Sequence, residues 1–367
     1  MRPGAWICSV PFIRGLWQKS LILKDSNMTT CSLAFPPQIN LASLPTPMQP
    51  LRRLSEKLGV ELYIKRDDLT GAALSGNKIR KLEFVLADAL GQKADTVVTC
   101  GGAHSNHCRA TAIAAAMLGL QCRLLLRTPD PSNPPPSECN ILLDRMAGAE
   151  IVWITPDDYK KRDEFMAHEA AVLKESGRKP YTIPEGASTA LGALGYVRAT
   201  EELVNDITNT MGGAHQPCTI ISAAGSGGTG AGLILGTKIF DMNARVAGIN
   251  VCDDRDYFLR EIGTICENAI ADYHLDIDFD RERDIEIIDG YVGRGYTLSQ
   301  PEELKLIKEV AQTEGIFLDP VYTGKAFYGM VEELKRDSKC FGDRVIFIHT
   351  GGIFGLFQRA EELQPFL

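Results

Sequence analysis

The sequence predicts an α/β protein with mostly parallel sheets, arranged as two unequal domains. Three observations carry this. Short apolar, β-branched runs alternate with longer segments of helical period from Glu61 onward, the pattern of βα units. The chain has 367 residues, beyond the ~250–300 at which a single core tends to split. Glycine-rich or small polar turns follow several of the strand runs, where open α/β sheets bind ligands.

In chain order the strand candidates are Leu62–Lys65, Thr96–Cys100, Gln121–Leu126, Glu150–Ile154, Pro180–Ile183, Thr219–Ala223, Val246–Val251 and Arg344–His349. Apolar residues at helical spacing predict helices over Asn77–Leu90, Asn106–Leu118, Asp158–Ser176, Gly192–Met211, Pro301–Glu314 and Lys325–Lys335. In the first of these, Ile79, Leu82, Leu86 and Leu90 form the apolar face and leave Lys78 and Lys81 on neighbouring surface. Pro129–Ser137 holds five prolines in nine residues and must be a loop, and Met211–Pro217 is a second break.

Composition narrows the function. A hydrophobic content of 44% and a charged content of 23% describe an ordinary globular chain. A net charge of −8 argues against a nucleic-acid binder, which needs a basic face for phosphates, and favours a small-molecule substrate. The ten cysteines lack C-x-x-C pairing, so they read as buried thiols rather than zinc ligands or a redox dithiol. Arg2, Arg14, Lys19 and Lys24 stand among apolar residues with no acidic residue in the first 24 positions, the composition of a mitochondrial transit peptide. Its apolar part is broken by Pro11 and too short for a membrane span. The bland alternative is a disordered leader on a cytoplasmic enzyme, with Met28 as another start.

The turns after the strands carry the chemistry. Gly225-Ser226-Gly227-Gly228-Thr229-Gly230 brings backbone N–H groups and a helix start to one point, which suits a phosphate. It also fits a dinucleotide fingerprint, with Asp253 and Asp254 after the next strand. No lysine stands in the Walker position, so a P-loop is excluded. Ser105 and Asn106, after Gly101-Gly102, serve either as helix caps or as ligand contacts, and His104 and His107 lack the partners of a metal site. Lys78 begins a helix behind Ser75-Gly76-Asn77, where helix-end potential and burial depress an amine pKa toward nucleophilic use. Asp319-Pro320-Val321-Tyr322-Thr323 and Thr350-Gly351-Gly352 place hydroxyls at element ends, a pattern that turn and cap chemistry alone also produces.

Together the blocks Lys65-Arg66-Asp67-Asp68, Ser75 to Glu83, Gly101-Gly102 with Ser105-Asn106, Gly225 to Thr229, Asp319 to Tyr322 and Gly351-Gly352 resemble the family of D-cysteine desulfhydrases and 1-aminocyclopropane-1-carboxylate deaminases. The resemblance spans Leu41 to Leu356. It implies the tryptophan-synthase β-like fold (fold type II) of pyridoxal-phosphate enzymes, with two open twisted parallel-sheet domains flanked by helices. Residues 41–81 and 192–367 would form the large domain, 82–191 the small one, and 1–40 a leader.

The resemblance also implies roles. Lys78 forms the Schiff base with pyridoxal 5′-phosphate, Asn106 meets its 3-hydroxyl, and Gly225, Ser226, Gly227, Gly228 and Thr229 hold its phosphate. Ser105 with the adjacent Asn106 and His107 receives the substrate carboxylate, and Tyr296 and Tyr322 line the pocket above the reacting carbon. Deaminases carry a glutamate after the tyrosine of the Asp-Pro-Val-Tyr block and a leucine before the late Gly-Gly. Here both are threonine, Thr323 and Thr350, one of which would meet the pyridine nitrogen. A neutral hydroxyl leaves a weaker electron sink than a carboxylate, so the chain resembles the desulfhydrase branch. A thiol with a pKa near ~8.5 leaves readily: the freed Lys78 amine would take the Cα proton of D-cysteine, thiolate would depart, and pyruvate, ammonia and hydrogen sulfide would result. His104 stands where the family often has glutamine. A homodimer is the expected assembly. Two rival readings remain at this point: a nicotinamide oxidoreductase built on Gly225-x-Gly227-x-x-Gly230, and a cofactor-binding relative without turnover.

Overall fold

The computed structural model describes residues 34–213, 215–295 and 297–367. The leader read in the first 27 residues and Tyr296 lie outside them. The strands are β1 Met48–Pro50, β2 Glu61–Lys65, β3 Thr96–Gly102, β4 Gln121–Arg127, β5 Glu150–Ile154, β6 Pro180–Thr182, β7 Cys218–Ala224, β8 Ala244–Asn250, β9 Glu286–Ile288 and β10 Arg344–Ile348. The helices are α1 Arg52–Leu58, α2 Lys78–Gly91, α3 Asn106–Met117, α4 Cys139–Met146, α5 Pro156–Tyr159, α6 Arg162–Glu175 and α7 Ala190–Met211. After them come α8 Gly228–Ile239, α9 Arg255–Tyr273, α10 Arg281–Asp284, α11 Pro301–Glu314, α12 Thr323–Arg336, α13 Phe354–Gln358 and α14 Ala360–Leu363.

Every strand candidate is a strand, and two strands of three residues, β1 and β9, are added; three positions are too few for a period to register. The expected helix over Asp158–Ser176 is two helices. Thr155 and Asp158 form a reciprocal cap around α5, and the buried Tyr159 donates its hydroxyl hydrogen to Glu185 at 2.6 Å, so a tertiary bond fixes a short turn that the sequence period runs through. Helix α9 went unpredicted although Phe258, Ile262, Ile265 and Ala269 bury one face at helical spacing. Residues 38–42, at the edge of the supposed leader, dock on α2: Gln38 Nε2, Leu41 N and Ala42 N all donate to the Glu83 carboxylate at 2.7–2.8 Å.

The strands form two sheets. One has the order β1-β2-β10-β7-β8-β9 and the other β5-β4-β3-β6. All pairings are parallel except β1 with β2. In the larger sheet, β7 leads outward through β8 to β9, while β10 and β2 lie on the other side. In the smaller sheet, β3 leads through β4 to β5, and β6 returns to the opposite flank. Each sheet therefore reverses its winding once, between β10 and β7 and between β3 and β6, and a crevice opens at the strand ends of such a reversal.

A buried ionic network anchors the start of α2. Arg80 donates from Nε and Nη2 to the two oxygens of Asp67 at 2.9 and 2.8 Å, and from Nη1 to Glu202 of α7 at 2.8 Å. Tyr196 and Thr46 also donate to Asp67, at 2.6 and 2.8 Å. Burial alone would raise the Asp67 pKa, but the Arg80 guanidinium holds it below the ordinary value. Lys65 at the end of β2 reaches Glu202 and Asp206 at 3.1 and 2.7 Å. Arg80→Leu leaves Asp67 buried without its counter-charge, and such a loss costs about 3–5 kcal/mol. Urea unfolding should read a loss of that size; a change under ~1 kcal/mol, the scale of an exposed pair, would show the network to be dispensable.

Candidate active site

Five loops converge at the two winding reversals. They are residues 75–78 entering α2, 102–107 after β3, 185–188 after β6, 225–229 after β7 and 350–351 after β10, and together with Tyr322 they line one pocket. The entry to α2 and the loop after β10 cross at van der Waals distance: Asn77 N donates to Thr350 O at 3.1 Å. Gly76 has φ +115°, and a Cβ there would stand 2.8 Å from Thr350 O. Only glycine serves at that crossing, which explains the Ser-Gly-Asn that precedes Lys78.

Lys78 is the first residue of α2 and is half-buried, with Nζ 3.4 Å from Ser226 Oγ. Desolvation pushes its pKa down to about 8, against the opposing pull of the Glu185 carboxylate. Lys81, expected on neighbouring surface, is instead fully buried one turn on. Its partners among the described residues are neutral: Gly186 O at 3.3 Å and Ser188 Oγ at 3.2 Å. Burial, and then the like charge of Lys78, push its pKa well below the ordinary value. Positions 78 and 81 are three apart and share a helix face, but the burial of that face depends on distant partners.

Lys81 points at the glycine turn. A Cβ on Gly228 would meet its Nζ at 2.7 Å. Gly227, at φ +81°, precedes α8 with no side-chain cap, so the first N–H groups of a twelve-residue helix and a buried ammonium face the same space. That is an anion site.

On the opposite wall, Ser105 is the N-cap of α3 and accepts from Cys108 N at 3.2 Å, so the bland cap reading holds while the residue also lines the pocket. Asn106 Oδ1 accepts from Arg109 Nη1 at 2.9 Å and from Asn140 Nδ2 at 3.1 Å. A guanidinium can only donate, so this pair fixes the amide with its N–H₂ on the other side. Neither Arg109 nor Asn140 was singled out from sequence, because an arginine inside an alanine-rich helix gives no periodic sign of burial. His107 Nε2 meets Thr99 Oγ1 at 2.9 Å, and that hydroxyl donates to Ile183 O at 2.7 Å. The proton is therefore on Nε2, Nδ1 has no partner, and burial followed by Lys78 and Lys81 keeps the ring neutral.

The two threonines part company. Thr323 is buried, donates to Asp319 Oδ1 at 2.7 Å and accepts from Asp319 N at 2.8 Å. It is absent from the pocket lining, whereas Thr350 belongs to it. Asp319 also accepts from Val321 N and Tyr322 N at 2.9 and 3.0 Å, which sets the loop that carries Tyr322. The Tyr322 ring packs on Gly225, where a Cβ would be 3.2 Å from Cε1. His104 is part-buried, with Nδ1 unpartnered. The structure thus brings Lys78, Ser105, Asn106, His107, Gly225, Ser226, Gly227, Thr229, Tyr322 and Thr350 to one pocket.

The chain as a whole is similar to known proteins. The family model described as pyridoxal-phosphate dependent enzyme matches residues 39–351. A Thermotoga maritima protein that carries the name of a 1-aminocyclopropane-1-carboxylate deaminase is 43% identical over 327 residues, covering 89% of this chain and 99% of its own. A bifunctional D-cysteine desulfhydrase/1-aminocyclopropane-1-carboxylate deaminase of Arabidopsis thaliana, named as mitochondrial, is 41% identical over 88% of this chain and 80% of its own. A crystal structure of an ACC deaminase homologue superposes with a TM-score of 0.80 at 38% identity, covering 91% of this chain and 97% of that one.

The depressed pKa makes a direct prediction. In protein stripped of small molecules, the rate at which Lys78 condenses with an aldehyde should rise with pH and level off above about 8, because only the free-base amine attacks. A midpoint near the ordinary 10.5 would show that desolvation does not act on this amine.

Proposed function

Because the chain belongs to the pyridoxal-phosphate dependent enzyme family, we propose that it is a lyase acting on a small D-amino acid, with D-cysteine as the preferred substrate and β-elimination as the reaction. The residues fit the cofactor. The turn Gly225–Thr229, the start of α8 and the buried Lys81 suit its phosphate, Lys78 its aldehyde, and the Asn106 amide, with its oxygen tied down by Arg109, its ring hydroxyl. Once bound, pyridoxal phosphate supplies a ring that draws electron density from the substrate's Cα.

The observation that carries the desulfhydrase reading is the neutral residue Thr350 in the pocket lining, with Thr323 turned away onto Asp319. In our reading Thr350 meets the ring nitrogen. No carboxylate there holds a proton on that nitrogen, so the sink is weak, and a leaving group as good as thiolate is favoured over a cyclopropane carbon.

Lys78, with a pKa near 8, is matched to hold and release a proton at Nζ at mildly alkaline pH. Ser105 and the N–H groups that open α3 receive the substrate carboxylate at a helix N-terminus. His107 stays neutral and presents Nδ1 as an acceptor, and the Tyr322 ring closes the pocket over Cα, a role that the family resemblance extends to Tyr296. A nicotinamide enzyme would have no use for two lysines on one buried helix face, so the dinucleotide reading of the glycine turn falls away. The same proposal includes a large domain of 41–81 with 192–367, a small one of 82–191, a homodimer, and mitochondrial import by the basic leader, as in the name of the Arabidopsis relative.

The test is to load the protein with pyridoxal phosphate and compare kcat/KM for D-cysteine, read as pyruvate and sulfide, with that for 1-aminocyclopropane-1-carboxylate, read as ammonia and a keto acid. D-cysteine should win by at least about tenfold, or ~1.4 kcal/mol of transition-state preference. A preference for the cyclopropane would sink the desulfhydrase assignment. Lys78→Ala should abolish the borohydride-sensitive visible absorbance together with turnover. Thr323→Glu with Thr350→Leu should shift the ratio toward the cyclopropane, and an unchanged ratio would remove the role given to Thr350.

A further inference from the structure

Glu185 follows β6 and lines the pocket, yet the elimination proposed above gives it no part. It is one of two acidic residues in that lining among the described residues. The other, Glu286 on β9, is spent on Arg245, which it meets through both carboxylate oxygens. Glu185 stands close to the chemistry. Its neighbour Gly186 approaches Lys78 so nearly that an added Cβ would be 3.2 Å from Nζ.

Two neighbours aim the Glu185 carboxylate. Tyr159 of α5 donates its hydroxyl hydrogen to Oε1 at 2.6 Å, and Arg162 of α6 brings Nε to 3.2 Å from Oε2. Burial, and then Glu185, push the Tyr159 pKa far up, so the phenol keeps its proton and remains the donor. Arg127 covers the face of the Tyr159 ring, with its guanidinium 4.7 Å from the centroid. Across the crevice Tyr257 of α9 faces the same group. Burial, and after it the carboxylates of Glu261, Asp253 and Glu185, push the Tyr257 pKa up to about 12 against the pull of Arg162. Three carboxylates therefore outweigh one guanidinium at this wall. The start of α3 with Ser105 is the opposite end, where helix N–H groups favour an anion. The lining thus has one end for the substrate carboxylate and another, at Glu185, that repels negative charge.

We propose that Glu185 is a specificity-determining residue, admitting amino acids with a neutral or cationic group on Cβ and turning away those with an anionic one. The inference rests on the amino-acid lyase reading of this pocket. A like charge placed beside a fixed carboxylate is a repulsive element, and discrimination is often built that way.

The experiment uses the full chain loaded with pyridoxal phosphate and three ligands of similar size: D-asparagine, its anionic isostere D-aspartate, and D-2,3-diaminopropionate, which carries a cationic group on Cβ. Kd is read near neutral pH from the change in cofactor absorbance. The wild type should bind D-aspartate at least about tenfold more weakly than the other two, and added salt should narrow that gap. Glu185→Gln should tighten D-aspartate relative to D-asparagine by about tenfold, while Glu185→Asp, which keeps the charge, preserves the wild-type order. Because two ligands are compared on one protein, any change in Lys78 or in cofactor loading cancels in the ratio. A wild type that does not discriminate overturns the proposal. So does a ratio that Glu185→Gln leaves in place, including by weakening all three ligands alike, the mark of a merely structural role. If the glutamine variant is insoluble, Tyr159→Phe, which releases Oε1, is measured in the same way: a narrowed ratio supports the role of Glu185, and an unaltered one overturns it. The L-enantiomers are measured alongside. Tighter binding of L-asparagine overturns the D-amino-acid reading while the ratio at Glu185 is still read, so the two failures stay distinct.

Discussion

The bidentate contact between Arg80 and Asp67 is the interaction on which the site rests. It ties the loop after β2 to α2, and through Glu202 it ties both to α7. Arg80 lies two residues after Lys78 and one before Lys81, so the bond that fixes one side of the helix aims the two lysines off the other. A buried ion pair is weak evidence for net stability, yet breaking one partner is severe. Here its geometric effect matters more: the helix start cannot rotate without stranding a charge.

Given that anchor, the pocket becomes an electrostatic trap for a phosphorylated carbonyl compound. Lys81 lacks an acidic partner among the described residues, and the uncapped start of α8 adds backbone N–H groups. Burial and the like charge of Lys78 hold the Lys81 pKa down, which is unfavourable in the empty protein and favourable once a dianion arrives. Desolvation, rather than that repulsion, keeps Lys78 reactive as an amine. Glu185, held by Tyr159 and Arg162, is a counterweight that limits how far that depression goes.

The walls repeat one device, a charged side chain spent on backbone or amide groups to hold a loop. Arg109 donates to Ser75 O, Asn106 and Asn140, Asp319 collects the N–H groups of 321–323, and Lys325 gathers three carbonyls. Loops cannot bury backbone polar groups without such partners, and a pocket made from five loops needs several. Rigid loops in turn keep the functional groups at productive distances.

Much was legible in the sequence. Eight of the ten strands among the described residues follow from apolar runs of strand length, and Lys78, the Gly225–Thr229 turn and the Ser105-Asn106 pair follow from spacing and from family blocks, because local propensity and motif chemistry act over a few neighbouring residues. Tertiary structure decided what depends on distant partners. The sequence cannot say that Thr323 faces Asp319 while Thr350 faces the pocket, that Lys81 is buried, that Tyr159 breaks a helix to reach Glu185, or that Lys325 finds carbonyls 27 to 33 residues away. Each of those is a hydrogen bond or a burial that exists only once two sheets, each reversing its winding at a switch point, bring their loops together.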